Sequence, residues 1–226
     1  MSAAATLILP PPLREGDRLT REQFLLRWEA MPHLKHAELI DGVVHMPSPV
    51  SRTHSTHHGH LTGWLFTYGT HTPACELGVE GTWLMGEDAP QPDISLRILP
   101  EYGGRSKEQG KFTTGAAELI VEVSSSSVAL DLGPKLLLYQ SAGVVEYITA
   151  LIGQERVIWR QLVKGKYQEV APDDDGILRS RVFPGLWLDP EALWKRDGLR
   201  LVETLERGIA APQHADFVRL LESRRH

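Results

Sequence analysis

The run Leu-Ile-Val-Glu-Val at residues 119–123 constrains the fold more than any other part of the chain. Four apolar residues in so short a segment, followed by serines, are typical of a strand buried on both faces. Glu122 interrupts the run, and an ionised carboxylate there is costly unless a cation or a donor partners it. The alternative is an edge strand on which Glu122 faces water. The sequence leaves both interpretations open.

The elements predicted around this strand indicate a mixed α/β domain. Apolar residues at helical spacing predict helices over residues 18–31, with Thr20 as N-cap, and over residues 61–68. Asp41-Gly42 between two apolar runs predicts a hairpin, and Pro134 opens a helix that Gly143 ends. Further strands are predicted at residues 80–85, 94–99, 144–151, 155–162 and 166–170, a loop at 102–115, a helix from Asp189, and a last helix over 216–223 with Asp216 as N-cap. This order predicts a sheet of both strand senses flanked by helices.

Length and composition favour one globular domain with a full-sized core. The chain has 226 residues, 42% hydrophobic and 23% charged, so its length gives no reason to invoke a disulfide or a structural metal. Cys75 is the only cysteine, which excludes a disulfide within one chain and predicts a reducing, cytoplasmic setting. We expect a single domain over residues 1–226, with a core at 18–195 and a C-terminal helical extension at 196–226.

Hydropathy and charge limit the classes of partner. No apolar run approaches the roughly 18 residues of a membrane-spanning helix, and residues 1–12 lack the basic start of a signal peptide. A net charge of −5 argues against a protein that coats nucleic acid, but not against an enzyme with a local basic patch. Candidates for phosphate contact in and beside the 102–115 loop are Arg97, Arg105, Lys107 and Lys111. The alternative is a solvated, mobile loop.

Asp93 and Lys135 also conflict with their local context, and such conflicts gather at functional sites. Asp93 opens an apolar strand after Gln91-Pro92, where the alternative is an ordinary turn residue. Lys135 lies in the first turn of a helix, so its charge faces the positive end of the helix dipole. The alternative is a surface lysine that bends into solvent. With Glu122 they form the set that metal-assisted phosphodiester hydrolysis needs: two carboxylates for Mg²⁺ and an ammonium for developing charge.

Several short motifs, found in order along residues 38–193, resemble the Uma-type restriction endonuclease family. That family belongs to the PD-(D/E)XK nuclease superfamily. Each motif is weak alone, and their order and spacing carry the resemblance. The motifs are Glu38-Leu39-Ile40-Asp41-Gly42, Met46-Pro47-Ser48-Pro49, Gln91-Pro92-Asp93, Leu119-Ile120-Val121-Glu122-Val123-Ser124, Lys135-Leu136-Leu137-Leu138-Tyr139, Gly143-Val144-Val145-Glu146-Tyr147 and Phe183-Pro184-Gly185-Leu186.

The resemblance implies a fold, an activity and a set of ligands. The fold is a restriction-endonuclease-like PD-(D/E)XK core, a mixed β-sheet flanked by helices, with an N-terminal helix and a β-hairpin. The activity is that of a Mg²⁺-dependent DNA endonuclease, with Mn²⁺ as a second usable metal. The implied metal ligands are Asp93, Glu122 and the backbone carbonyl of Val123, and Glu38 is an accessory acidic residue.

This chain departs from the superfamily at two points. In the superfamily's common form the lysine lies two residues after the acidic residue, where this chain has Ser124. The Uma-type pattern has its lysine on the following helix instead, which matches Lys135. The usual proline of the serine-rich turn is also missing, at Ser125 or Ser126.

Two further expectations concern partners and accessory groups. Superfamily enzymes that cut both strands commonly pair two sites, so the resemblance implies a homodimer. The apolar stripe of Phe217, Leu220 and Leu221 offers a surface for it, or simply caps the sheet. In the histidine-rich stretch, His54 and His57 are candidates for an accessory role near the phosphate, and the alternative is polar residues covering a helix N-terminus. A zinc site there would need further ligands.

Two functions therefore remain open. The first is an endonuclease that hydrolyses DNA with metal-activated water, favoured by the complete set of Asp93, Glu122 and Lys135. The second is a catalytically silent relative that uses the same fold as a binding or scaffold module. The acidic net charge and the absence of an obvious DNA-reading motif favour the second.

Overall fold

The computed structural model describes residues 10–225, and its centre is a six-stranded mixed sheet. Most of the N-terminal segment in which no signal peptide is expected lies outside the described residues. In spatial order the strands are β11 (Lys166–Glu169), β10 (Arg156–Val163), β9 (Glu146–Leu151), β8 (Leu119–Ser124), β5 (Ile94–Ile98) and β3 (Cys75–Val79). Strands β8 and β9 are parallel and the other neighbouring pairs are antiparallel, so the predicted mixed sheet is confirmed.

Helices cover the sheet, and three small sheets lie around it. The helices are α1 (Arg21–Glu29), α2 (Arg52–Thr70), α3 (Val128–Asp131), α4 (Pro134–Ala142), α5 (Pro190–Lys195), α6 (Gly198–Ile209) and α7 (Pro212–Ser223). The small sheets pair β1 (Glu38–Ile40) with β2 (Val43–His45), β12 (Leu178–Arg179) with β13 (Trp187–Leu188), and β4 (Trp83–Leu84) with β7 (Phe112–Thr114) and β6 (Lys107–Gln109). Among the described residues, no helix combines the length and the apolar character that crossing a bilayer requires.

Local sequence signals explain where several elements begin and end. Thr20 and Gln23 exchange hydrogen bonds as a capping box at the start of α1. Asp41 and Gly42 both have positive φ, 52° and 69°, which is the backbone of a tight two-residue hairpin turn between β1 and β2. Gly143 ends α4 in the left-handed conformation, with φ 87°. These predicted signals are confirmed.

Strand β8 lies between β5 and β9 and is buried along its whole length, so the edge-strand alternative is wrong. Its odd-numbered residues from 119 to 123 pack into the main core with α2 and the C-terminal helices. Ile120 packs on the opposite face with Tyr139 of α4. Because side chains alternate along a strand, Glu122 shares the face of Ile120. The fold therefore directs this carboxylate toward α4.

Several elements of the structure differ from the prediction. Residues 102–115, predicted as a loop, contain β6 and β7, which pair with each other while β7 pairs with β4. Strand β3 was not predicted, because Cys-Glu-Leu-Gly-Val carries little β-branched character. Asp216 is not an N-cap, since it lies inside α7, which begins at Pro212. Helix α6 lies in the expected C-terminal helical extension, without bounds of its own in the prediction, and it buries Leu201 and Leu205 in the main core.

The predicted apolar stripe of the last helix is partly buried and partly exposed. Leu221 is buried in the main core and Phe217 packs against it, whereas Leu220 is 46% exposed. Most of the stripe therefore covers the core, which was the alternative to a dimer surface. The homodimer stays a prediction.

Glu146 in β9 accepts hydrogen bonds from the segment after β12. Replacing this carboxylate should therefore destabilise the fold. One carboxylate oxygen accepts from the main-chain N–H groups of Arg181 and Val182, at 2.7 and 3.2 Å. The other accepts from Trp159 Nε1 and the Ser180 hydroxyl, at 3.1 and 2.7 Å. In Glu146→Gln one oxygen becomes an N–H donor, so two buried donors lose their acceptor. We expect about 1–3 kcal/mol less unfolding free energy, measured by urea denaturation.

The matched control is Glu169→Gln, because Glu169 is an exposed glutamate on β11. Its unfolding free energy should stay within about 0.5 kcal/mol of the parent. Equal stability of the Glu146 and Glu169 variants would contradict the structural role of Glu146.

Candidate functional site

Glu122 and two side chains of α4 form the centre of the candidate site. Its Oε1 accepts hydrogen bonds from Lys135 Nζ at 3.0 Å and from the Tyr139 hydroxyl at 2.8 Å. Lys135 and Tyr139 are four residues apart, so one face of α4 presents both of them. Glu122 and Lys135 are only 3% and 4% exposed. The predicted strand carboxylate and helix lysine are therefore in direct contact, inside the protein.

Two more carboxylates face the ammonium of Lys135. Glu38 Oε1 from the β1–β2 hairpin lies 2.8 Å from Nζ, and Asp131 Oδ1 lies 3.8 Å from it. Glu38 Oε1 also accepts the main-chain N–H of Gln91 at 2.7 Å. The hairpin is thus joined to the segment that leads into Asp93.

Asp93 precedes β5 and is braced against the end of β8. Its Oδ2 accepts the main-chain N–H of Val123 at 2.7 Å, and its own N–H donates to Glu122 Oε2 at 3.4 Å. His54 Nε2 lies 3.6 Å from Asp93 Oδ2, and His58 Nε2 donates to the Asp93 carbonyl oxygen at 3.2 Å. The structure therefore brings the two predicted carboxylates together, with the first turns of α2 beside them.

Burial and crowding set the charges of the central pair. Burial, followed by the neighbouring Asp131, Asp93 and Glu38, raises the pKa of Glu122 well above its usual range, and Lys135 only partly opposes this. Burial alone would lower the pKa of Lys135, but the surrounding carboxylates raise it above its usual value. Lys135 is therefore a firmly charged ammonium.

The pKa of Asp93 is shifted in the opposite direction to that of Glu122. Burial would raise its pKa, but the contact with His54 and the N–H of Val123 outweigh it, so the pKa of Asp93 is lowered. The Asp93 contact in turn raises the pKa of His54, and the Val123 carbonyl oxygen adds to this effect. Asp93 is therefore ionised.

The sequence analysis missed three residues that the structure adds to this site: Asp131, Tyr139 and His58. Each lies four residues from a residue it did single out, Lys135 for the first two and His54 for the third. Helical spacing of four was therefore the signal for Tyr139 and His58, whereas Asp131 lies in α3 and not in the helix of Lys135, so spacing gave no signal for it.

His57 lies away from the carboxylates. Its Nδ1 donates to the Thr53 carbonyl at 2.8 Å, and its ring lies against Trp194 with centroids 5.1 Å apart. It contacts neither Asp93 nor Glu122 among the described residues. The spacing of three from His54 was thus less informative than the spacing of four.

The four basic candidates for phosphate contact have their contacts elsewhere. Arg97 is buried and pairs with Glu76 and Glu108 at 2.6 and 3.4 Å. Arg105 donates to the Gly143 carbonyl at 2.8 Å, and Lys111 pairs with Glu29 at 3.2 Å. Lys107 is exposed on β6. Within residues 10–225, none of these four is in hydrogen-bond or ion-pair contact with Asp93, Glu122 or Lys135.

The donor chemistry of the site fits Mg²⁺, the metal that the resemblance implies. Glu122 and Asp93 offer carboxylate oxygens, the hard ligands that this ion prefers. Counted with Glu38 and Asp131, four carboxylates face Lys135 and His54, so a further cation would offset excess negative charge. In residues 10–225 no three acidic, histidine or cysteine side chains converge as a ready-made metal cluster. The remaining ligands would therefore include a backbone oxygen, water or phosphate.

Comparison with known proteins agrees with this architecture. The family model Uma2, described as "Putative restriction endonuclease", matches residues 21–191. A solved structure, a putative nuclease belonging to DUF820 from Anabaena variabilis ATCC 29413, is similar with a TM-score of 0.59. The two chains are 14% identical, over 78% of this chain and 98% of that one. No curated protein matches the chain.

At that identity the solved structure shows the fold alone, which is the expected mixed sheet flanked by helices of a restriction-endonuclease-like core. The family model covers most of the chain, including every motif from Glu38 to Leu186. The chain therefore belongs to the Uma2 family of putative restriction endonucleases.

Proposed function

We propose that this chain is a Mg²⁺-dependent endonuclease that hydrolyses phosphodiester bonds of DNA. The observation that carries the proposal is the contact between buried Glu122 and buried Lys135, with Asp93 beside them. Burying this many charges opposes folding, and a fold without a ligand for them gains nothing from keeping them. Such costly arrangements are typical of functional sites.

Each residue has a defined task in this proposal. Asp93, Glu122 and the Val123 carbonyl hold the cation. When bound, Mg²⁺ supplies positive charge to the phosphate oxygens and acidifies water. The positive charge of Lys135 stabilises the negative charge that develops on the phosphate in the transition state. Tyr139 fixes the Glu122 carboxylate, and Glu38 fixes the ammonium of Lys135.

The second candidate is a catalytically silent binding or scaffold module. One observation favours it, namely that Glu122 and Lys135 are almost closed to solvent. Titration calorimetry with Mg²⁺ or Mn²⁺ separates the candidates before any assay of cleavage. An enzyme should bind the metal in a way that depends on Glu122, and a silent module should not.

Nicking of supercoiled plasmid DNA tests the proposal directly. With Mg²⁺ or Mn²⁺ the purified chain should convert supercoiled plasmid to open circles, and EDTA should stop the reaction because the carboxylates then lack their cation. Ca²⁺ in place of Mg²⁺ is a suitable control for metal binding without efficient turnover. Cleavage that persists in EDTA, or no cleavage with either metal, would contradict the proposal.

The homodimer and the basic contacts belong to the same proposal. A second copy would supply a second site for the other DNA strand. Arg105, Lys107 and Lys111 lie on or beside the β6–β7 hairpin and are exposed, whereas Arg97 is buried. Arg97 would have to leave Glu76 and Glu108 before it could contact phosphate.

A further inference from the structure

Asp131 is a buried carboxylate that the proposed ligand set does not include. It ends α3 and is 1% exposed. Its Oδ2 accepts hydrogen bonds from the hydroxyls of Ser124 and Ser127, at 2.7 and 2.5 Å. Its main-chain carbonyl accepts from the Tyr147 hydroxyl at 2.9 Å. These three contacts fix the orientation of the carboxylate.

The second oxygen, Oδ1, is buried and has no hydrogen-bond partner among the described residues. A buried acceptor without a donor opposes folding. The nearest cation, Lys135 Nζ, lies 3.8 Å away, which is too far for a direct hydrogen bond. Lys135 donates two of its three N–H groups to Glu38 and Glu122, and the third has no acceptor among these residues. An unused acceptor and an unused donor therefore lie side by side.

Two structural roles for Asp131 do not account for this oxygen. Holding the serine turn requires only Oδ2, which makes both serine contacts. Neutralising Lys135 requires little from Asp131, because Glu38 and Glu122 both approach the ammonium more closely. Oδ1 is thus left to bind a small polar group.

We propose that Asp131 Oδ1 and Lys135 hold between them the water that attacks the phosphodiester. The inference rests on the proposed endonuclease function. One oxygen atom can lie within hydrogen-bond distance of both members of a pair 3.8 Å apart. The water donates one hydrogen to Asp131 and accepts one bond from Lys135, which leaves a lone pair for phosphorus.

The chemical step balances without a further reactant. A bond forms between the water oxygen and phosphorus while one ester P–O bond breaks. The water proton passes to Asp131 Oδ1, and the leaving oxygen takes up a proton from solvent. The deprotonation of Asp131 by solvent then restores the site. Asp131 acts as general base in this scheme, and Lys135 orients the water.

The test uses Asp131→Asn, which keeps an oxygen for the two serines and replaces Oδ1 by an N–H donor. The single-turnover nicking rate should fall by about 10²–10⁴-fold, the usual range for a general base. The Mg²⁺ concentration at half-maximal rate should stay within twofold, because Asp93 and Glu122 are intact. Ser127→Ala is the matched control, since it loosens the same turn and keeps Oδ1, and it should lose far less rate.

A crystal structure of the parent at a resolution that shows ordered water gives a second readout. Water within hydrogen-bond distance of both Asp131 Oδ1 and Lys135 Nζ, together with a slow Asp131→Asn variant, supports the inference. Three results would overturn the inference: no such water, an Asp131→Asn rate within threefold of the parent, or equal losses in the Asp131 and Ser127 variants. If the parent still nicks plasmid in these cases, the proposed endonuclease function stands. A parent that does not nick at all overturns the proposed function, and this inference with it.

Discussion

Replacing Glu122 by glutamine is expected to abolish the nicking of plasmid DNA while leaving the fold intact. Glutamine is close to isosteric and can still accept hydrogen bonds from Lys135 and Tyr139 through one oxygen. It lacks the anionic oxygen that a hard divalent cation requires. Loss of several kcal/mol of transition-state stabilisation corresponds to a rate at least about 10³-fold lower. Gel quantification of nicked plasmid measures it.

Stability supplies the control for this variant. Because burial raises the pKa of Glu122 in the folded state, the folded protein loses stability as the pH rises from the usual carboxyl pKa towards the raised one. In EDTA at pH 8 the glutamine variant should therefore melt at or above the parental temperature. The difference between the two melting temperatures should be smaller at acidic pH. Glu146→Gln, a buried substitution on the neighbouring strand, should melt lower yet nick at the parental rate per folded molecule. Unchanged nicking by the Glu122 variant would remove this residue from the site.

Lys135→Ala is expected to have a double effect, on turnover and on stability. Turnover should fall by about 10²–10³-fold, because the ammonium acts on charge that appears in the transition state. Metal affinity should be retained, since both ligand carboxylates remain. The unfolding free energy should fall by about 3–5 kcal/mol, because Glu122 and Glu38 lose the cation between them. Stopped-flow cleavage and urea denaturation measure the two effects separately.

The pH dependence of the Lys135 variant distinguishes a buried cation from a surface one. Without the ammonium, the folded protein favours protonated carboxylates at this site, so the loss of stability should shrink as the pH falls. Lys166→Ala, at an exposed position on β11, should show neither effect. Adding Ser124→Lys to Lys135→Ala should restore part of the rate, since Ser124 already contacts Asp131 next to the lost ammonium. Parental cutting by Lys135→Ala would make the lysine dispensable.

Local chemistry in the sequence was sufficient to predict five of the six strands of the central sheet and to single out Glu122 and Lys135. The conflict between a carboxylate and an apolar strand marked Glu122, and a cation at the wrong end of a helix marked Lys135. Each cost is visible in sequence because it depends on the residue and its immediate neighbours. The caps at Thr20 and Gly143 were visible for the same reason.

Features that depend on tertiary contact could not be predicted in this way. Strand β3 has weak intrinsic preference and forms because β5 pairs with it. Nothing in the local sequence marked Asp131, and only its burial beside Lys135 singles it out. Arg97 was a candidate for phosphate contact beside the loop, yet it is buried in β5 and pairs with Glu76. In each case a partner distant in sequence decides the role.

The β1–β2 hairpin has a consequence for when activity can first appear. Glu38 meets Lys135 only after the sheet and α4 have formed, because the two residues are far apart in the chain. During synthesis the hairpin emerges long before its cation does. No nascent or truncated chain that stops before α4 contains a complete site. Under the proposed function, a chain that ends before Lys135 should therefore bind no DNA productively, and cleavage should first appear once α4 packs against β8 and the hairpin.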